Sequence, residues 1–323
     1  MMKAIEYKSY GTPEVFELTS VSKPTPKPNE VLIRVYATTV TAADVMMRVG
    51  RPLIGRLYLG IRKPKRTILG FEFAGEIEAI GIAVTKFKAG DRVFGGTTTL
   101  GCYAEYTCIN ENDVITTIPT NTSYEEAAPV SGSAITVLNF LTRKTEIKRD
   151  QKVLIIGASG ALGTYAVQFA KFKGAEVTGV CSSSNLALVK SLGADHVIDY
   201  KTEDFTKNKK QYDIIFDTVN KQTFKHYKKS LTPTGIYLPS VLQFKDVGNV
   251  IFTSLFTSKK VRSSSTGLLP AKKRLAYFLE IKALMETGQI KTIRDTSYRL
   301  EQLSEAHEYV EKGHKKGNLV ITV

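Results

Sequence analysis

The stretch VLIIGASGALGTYAVQFAK, residues 153–171, constrains the fold of this chain more than any other. An apolar run of strand length breaks at Gly157 and passes through small residues. It resumes with Leu162, Tyr165, Ala166, Phe169 and Ala170 at i, i+3, i+4, i+7 and i+8, the spacing of one buried helix face. Further apolar runs follow at strand length: EVTGVC (176–181), HVIDY (196–200), YDIIFDTV (212–219) and GIYLPS (235–240), with a more polar sixth candidate, KVRSSS (260–265). Strands alternating with amphipathic helices predict an α/β fold with a parallel sheet covered on both faces. Six strands ordered 3-2-1-4-5-6 would make it doubly wound, with its ligand at the carboxyl ends where strand order reverses.

The turn itself carries chemistry. In A-S-G-A-L-G (158–163), Ala158 stands where a G-x-G-x-x-G fingerprint has its first glycine, followed by Gly160 and Gly163. Gly160 lets backbone approach a pyrophosphate without a Cβ in the way, and Gly163 lets the helix sit close to the strand. The new helix aims its unpaired N–H groups and positive dipole end at that anion. Any tight strand-to-helix turn can use glycines, but a strand before, a helix after and repeating β/α units beyond make dinucleotide binding the better reading. At the end of the second strand, GVCSSSNLALVK, no Asp or Glu is present to hold a ribose 2′-hydroxyl. Ser182, Ser183 and Ser184 offer hydroxyls there, with Tyr200 and Lys201 closing the third strand. That pattern favours NADP(H) over NAD(H); the same serines also fit a plain helix N-cap.

A chain of 323 residues, 42% hydrophobic, exceeds what one core usually organises. Residues 1 to about 122 read as short strands punctuated by Gly and Pro: EVLIRVYATTV, FEFAGEIEAIG, DRVFGG, CYAEYTCI and DVITTIP. Residues 124–142 switch to a helical pattern interrupted at Pro129 and Gly132. A later helix, from Pro270 to Gly288, presents Leu275, Phe278, Ile281, Leu284 and Met285 inward, and NLVITV closes the chain as a strand. The N-terminal residues lack a signal-peptide pattern and no apolar run reaches the ~18 residues of a membrane span, so a cytoplasmic protein with no membrane partner is expected. Three cysteines without a CxxC pair indicate neither a disulfide framework nor a thiolate metal site. The charge of +14 invites a nucleic-acid reading, but the lysines are scattered in small groups without an RNA-binding signature, and a solvated basic surface is preferred.

With the β-rich first half, GASGALG, GAEVTGVCSSSNLALVKSLGADHVIDY and the closing GNLVITV in that order, the chain resembles the medium-chain dehydrogenase/reductase superfamily, closest to its zinc-independent quinone oxidoreductase (zeta-crystallin-like) branch. The resemblance spans essentially the whole length. It implies a β-rich GroES-like barrel domain from residues 1–122 and 263–323, an NADP-binding Rossmann domain at 123–262, a substrate cleft, and a homodimer. Zinc-dependent relatives carry a His-Glu pair after a glycine and a four-cysteine lobe. This chain has Phe71 in GFE and no cysteine cluster, so no metal is expected. Without that Lewis acid, an already electrophilic acceptor is favoured, a quinone or an α,β-unsaturated carbonyl reduced by hydride from NADPH.

The same resemblance implies cofactor contacts at Thr136, at Ser159, Gly160, Ala161 and Leu162, at Ser182, Ser183 and Tyr200, at Val219 and at Asn318. On the acceptor side it points to TVTAADVMMRVG, where Thr41, in place of a frequent Asn, and the retained Asp44 and Arg48 are the catalytic candidates. Asp44 and Arg48 also read as an ion pair or cap fixing a short helix, the preferred reading. Tyr103 is a candidate proton donor, with strand packing the stronger alternative; Cys181 and the four histidines carry no motif. Two alternatives stay open: an enoyl-thioester reductase, and a non-catalytic NADPH-binding or RNA-associated crystallin-like protein. The cleft loops RPLIGRLYLGIRKPKR and VLQFKDVGNVIFTSLF hold no readable substrate code.

Overall fold

The computed structural model describes residues 1–242 and 244–323; Gln243, inside the second cleft loop, lies outside the described residues. The chain divides into two compact units: Met1–Gly132 with Pro270–Glu286 and Thr292–Val323, and Ser133–Leu269 with Thr287–Lys291. These divisions fall later than the boundaries at 122 and 262 that the resemblance implies, for identifiable reasons. The Ser131 hydroxyl donates to the Gly95 carbonyl at 2.9 Å, holding residue 131 to the first unit. The Asn139 amide donates to Ser264 and Thr266 at 3.0 and 2.9 Å, holding 263–269 to the second.

The second unit is built on six parallel strands: β1 (Lys152–Ile156), β2 (Glu176–Cys181), β3 (His196–Asp199), β4 (Tyr212–Asp217), β5 (Leu231–Pro239) and β6 (Lys260–Val261). Their spatial order is β3-β2-β1-β4-β5-β6, the doubly wound arrangement expected from the alternation. β6 is only two residues long, because the polar Arg262–Ser265 run offers the sheet nothing to bury. Between β1 and β2 lies the helix Ala161–Phe172. It is buried from Gly163 to Ala170, wider than the single face its spacing suggests, while Leu162 at its start stays half-exposed.

The first unit is β-rich. Its long strand Glu30–Thr39 pairs along one edge with Glu72–Ile80; along the other it pairs first with Tyr106–Asn110 and then with the closing strand Asn318–Thr322. Strands Arg92–Gly96 and Val114–Thr117 extend the sheet beyond Glu72–Ile80. CYAEYTCI becomes a strand only from Tyr106, because Cys102 and Tyr103 hand their N–H groups to the Gly70 and Leu69 carbonyls instead. The helix Ala271–Glu286 buries Tyr277, Phe278, Ile281, Leu284 and Met285, so Tyr277 takes the place expected of the half-buried Leu275. Phe278 meets Phe94 with ring centroids 4.5 Å apart, a contact worth about 0.5–1.5 kcal/mol beyond its burial.

Candidate functional site

Each glycine of the turn after β1 answers to a different neighbour. Gly157 has φ +78°, and a Cβ there would lie 2.5 Å from Thr218 Oγ1 and 2.6 Å from Val219 Cγ2, so this glycine lets the loop after β4 close over the turn. At Gly163 a Cβ would lie 2.1 Å from the Gly157 carbonyl oxygen; helix and strand approach too closely for any side chain. Gly160 differs. Its backbone is extended (φ −81°, ψ −179°), and a Cβ would meet no protein atom nearer than the Gly157 oxygen at 3.4 Å, so packing within the chain does not demand glycine here. That is the pattern of a position kept bare for a ligand, at the N-terminus of a twelve-residue helix. Gly179 on β2 makes room for Val189 and Ala158, whose Cγ1 and Cβ would be 2.5 and 3.0 Å from a Cβ added there.

Beyond the turn, the Asn185 amide donates to Ser159 Oγ at 3.0 Å and Ser182 Oγ at 3.2 Å, linking the turn to the serine corner. The corner is not free of carboxylate, contrary to expectation. Parallel pairing sets Asp199, the last residue of β3, opposite Cys181, and the Ser183 hydroxyl donates to Asp199 Oδ2. Reading only the end of β2 missed an acid arriving from β3. This hydrogen bond and one from the Lys201 N–H hold the Asp199 carboxyl below its usual pKa, so it is ionised at neutral pH. Tyr200 is half-exposed beside it. Cys181 is buried and its thiol is pushed up to about 11, in keeping with a packing role.

Val219 sits in a loop built by Asp217, whose Oδ1 accepts from the Val219 and Asn220 N–H groups at 2.9 and 2.8 Å while Oδ2 accepts from Tyr237 at 2.9 Å. Asp217 was not singled out from sequence, although D-T-V-N has the form of a side-chain-to-backbone turn. Thr136 lies half-buried in the short α-helical turn Ile135–Leu138, between π-helical segments Val130–Ala134 and Asn139–Lys144. Such π insertions are frequent at functional sites.

In the first unit, Thr41 caps the helix Ala42–Val49. The Thr41 N–H and hydroxyl donate to Asp44 Oδ2 at 2.9 and 2.6 Å, and Asp44 N–H donates back to Thr41 Oγ1 at 3.3 Å. The capping alternative is therefore realised and the Asp44–Arg48 ion pair is not. Arg48 is fully buried and pairs through Nη2 with Glu311 Oε1 at 2.5 Å, leaving its Nε and Nη1 without partners among the described residues. Tyr103 is likewise fully buried, its hydroxyl donating to the Thr39 carbonyl at 3.1 Å and lying 3.4 Å from His307 Nε2. Burial and the nearby Arg48 push His307 down to about 3, so it stays neutral.

Glu72, adjoining Phe71, is the residue the sequence reading passed over. Its buried carboxyl accepts from Thr39 Oγ1 at 2.6 Å, the Gly132 N–H at 2.6 Å and Ser131 Oγ at 3.2 Å. Burial pushes it up to about 7, against those hydrogen bonds and with the Asp44 charge adding to the rise; burial likewise takes Asp44 to about 6. Lys315 shares this field: burial lowers its pKa while Glu72, Asp44 and Asp295 oppose the change. Asn318, at the start of the closing strand, donates through Nδ2 to the Ile293 carbonyl at 3.2 Å, which leaves Oδ1 and the second Nδ2 hydrogen for a further contact. Among the described residues, no group of three or more His, Cys, Asp or Glu side chains is arranged to hold a metal ion, and no helix is long and apolar enough to cross a membrane.

Comparison with known proteins matches residues 27–120 to the alcohol dehydrogenase GroES-like domain and residues 192–321 to the family described as zinc-binding dehydrogenase. The chloroplast envelope quinone oxidoreductase homolog of Arabidopsis thaliana is 31% identical over 99% of this chain and 98% of its own length. The NADPH-dependent alkenal/one oxidoreductase of the same plant is 29% identical, over 99% of this chain and 79% of its own. Among solved structures, Escherichia coli quinone oxidoreductase complexed with NADPH superposes with a TM-score of 0.85 at 26% identity, covering 99% of this chain and all of that one.

Proposed function

The chain belongs to the medium-chain dehydrogenase/reductase superfamily, in its quinone oxidoreductase branch, and on that footing we propose that it reduces a quinone or an α,β-unsaturated carbonyl with NADPH. Its cofactor is a nicotinamide dinucleotide. The observation that carries the reading is Gly160, bare where no protein atom requires it, at the head of a helix whose Ala161 and Leu162 N–H groups have no acceptor among the described residues, while the Gly160 N–H turns back to the Gly157 carbonyl at 3.0 Å. The residues present fit the group. The Ala161 and Leu162 amides, with the Ser159 hydroxyl and the bare backbone of Gly160, would hold the pyrophosphate; Ser182, Ser183 and Tyr200 would take the 2′-phosphate and Val219 would line the ribose, while the family resemblance also assigns contacts to Thr136 and Asn318. Asp199 beside Ser183 repels a second anion, so selectivity for NADPH is modest and NADH is also used.

When bound, the reduced nicotinamide supplies the hydride. The chain supplies orientation and shelter from water. Quinones and enones are electrophilic without help, so the reaction runs without a Lewis acid, consistent with Phe71 where zinc-dependent relatives have a ligand. On the acceptor side, the cap formed by Thr41 and Asp44 and the pair of buried Arg48 with exposed Glu311 act as positioning residues, fixing the helix Ala42–Val49. We include in the proposal a homodimer and a cytoplasmic location, to be checked by light scattering and cell fractionation.

The test is the oxidation of NADPH and of NADH against quinones, alkenals and enoyl-CoA esters, with a metal chelator present. Turnover with quinones or alkenals that survives the chelator supports the proposal. Turnover abolished by the chelator, or confined to enoyl-CoA esters, refutes it.

A further inference from the structure

Residues 51–66, RPLIGRLYLGIRKPKR, place six cations in sixteen positions with no acidic residue among them. The segment is held in shape by its own polar contacts. Tyr58 donates to the Thr98 carbonyl at 2.6 Å, Arg66 to the Thr99 carbonyl at 2.5 Å, and Tyr10 to the Gly60 carbonyl at 2.6 Å. Arg56 donates to the Gly50 carbonyl at 3.0 Å and lies over the Tyr10 ring at 4.4 Å. Yet while Leu59 packs against the core, four other side chains of this anchored loop face outward: Leu53, Leu57, Tyr58 and Ile61 are 69%, 68%, 60% and 68% exposed. Arg51, Arg62, Lys63 and Lys65 are exposed around them. Large apolar side chains held in water by a well-anchored loop mark a contact surface.

We propose that this loop docks the protein on an anionic lipid surface. Aliphatic and Tyr side chains flanked by Arg and Lys that make no ion pair among the described residues are what an interfacial lipid site requires: apolar groups entering the headgroup boundary, cations meeting the phosphates. Four side chains fall well short of the ~800 Å² per partner of a standard protein interface. No span is needed for such peripheral contact, and the contact does not depend on the cofactor.

The test is flotation of the full chain with phosphatidylcholine vesicles, with and without phosphatidylglycerol at about a third of the lipid. Binding is expected only with the anionic vesicles and is released by high salt. Replacing three loop cations (Arg62→Gln, Lys63→Gln, Lys65→Gln) weakens it by about fivefold per charge, roughly 100-fold in all. The control Lys207→Gln, Lys209→Gln, Lys210→Gln removes the same charge elsewhere and changes binding by less than ~10-fold. Leu57→Ser with Ile61→Ser also weakens binding, while the melting temperature of each variant stays at that of the parent. The proposal is overturned if anionic vesicles bind no protein, if both charge triples weaken binding equally, if the serine pair binds like the parent, or if an RNA homopolymer is bound and vesicles are not.

Discussion

The contrast between Gly160 and Gly163 yields the sharpest experiment. In Gly163→Ala the new methyl falls 2.1 Å from the Gly157 oxygen and 2.7 Å from both the Ala158 Cα and carbonyl carbon, all backbone atoms. Relief requires a shift of about 1 Å between helix and β1, the kind of overpacking that costs about 1–3 kcal/mol. At roughly 2–4 °C per kcal/mol, Tm falls by several degrees. In Gly160→Ala the nearest atom is 3.4 Å away and the backbone is one that alanine adopts freely. The lost N-cap preference, about 0.5–1 kcal/mol, is offset by a similar entropy gain in the unfolded chain, so stability is nearly unchanged. The methyl instead occupies the space through which a pyrophosphate oxygen reaches the amides. Losing one charge-assisted hydrogen bond at about 1.5–3 kcal/mol weakens NADPH binding about 10- to 150-fold. The chain has no tryptophan, so nucleotide fluorescence reports binding directly, alongside thermal unfolding. A Gly160→Ala protein that binds NADPH like the parent refutes the placement of the pyrophosphate at this turn.

Other outcomes follow from the same structure. Asp199→Asn removes an anion from the serine corner, and the ratio of kcat/KM for NADPH over NADH rises several-fold; an unchanged ratio means Asp199 does not face the ribose. Glu72 has its folded pKa raised to about 7 from 4.5, so its contribution to stability is complete below about pH 4.5 and is lost as pH rises through 7. The gap between parent and Glu72→Gln unfolding free energies therefore shifts in the variant's favour by roughly 3 kcal/mol across that window, and a pH-independent gap rejects the buried, proton-binding carboxyl. Glu311→Ala strands the buried Arg48 charge and costs about 3 kcal/mol or more, whereas Arg48→Met stays within about 1 kcal/mol of the parent and retains kcat. Denaturant titration and steady-state kinetics check both, and a collapse of kcat in a stable Arg48→Met protein would show that Arg48 touches the acceptor.

What could be read in advance was local. The turn after β1, its helix and the succession of strands rest on contacts within about twenty residues, and the resulting sheet has the expected order. Groups assembled across long separations were not legible. Arg48 finds Glu311 some 263 positions away rather than Asp44 four residues before it. Glu72 is satisfied by Thr39 and by the adjacent Ser131 and Gly132, two segments that no spacing rule connects to it. Asp199 is an intermediate case: had the parallel register of β2 and β3 been drawn, Asp199 opposite Cys181 would have placed a carboxylate beside Ser183. The width of the buried surface on Ala161–Phe172 was underestimated because a helix enclosed on more than one side shows no polar stripe to read.

The central claim is that this chain delivers the hydride of NADPH to an electrophilic carbon without a metal. The direct measurement is the product mass from an α,β-unsaturated ketone reduced with NADPH deuterated at the transferring C4 position, in the presence of chelator. The account predicts one deuterium per product, located on the β-carbon. Product without deuterium, or none until a divalent metal is restored, would contradict it.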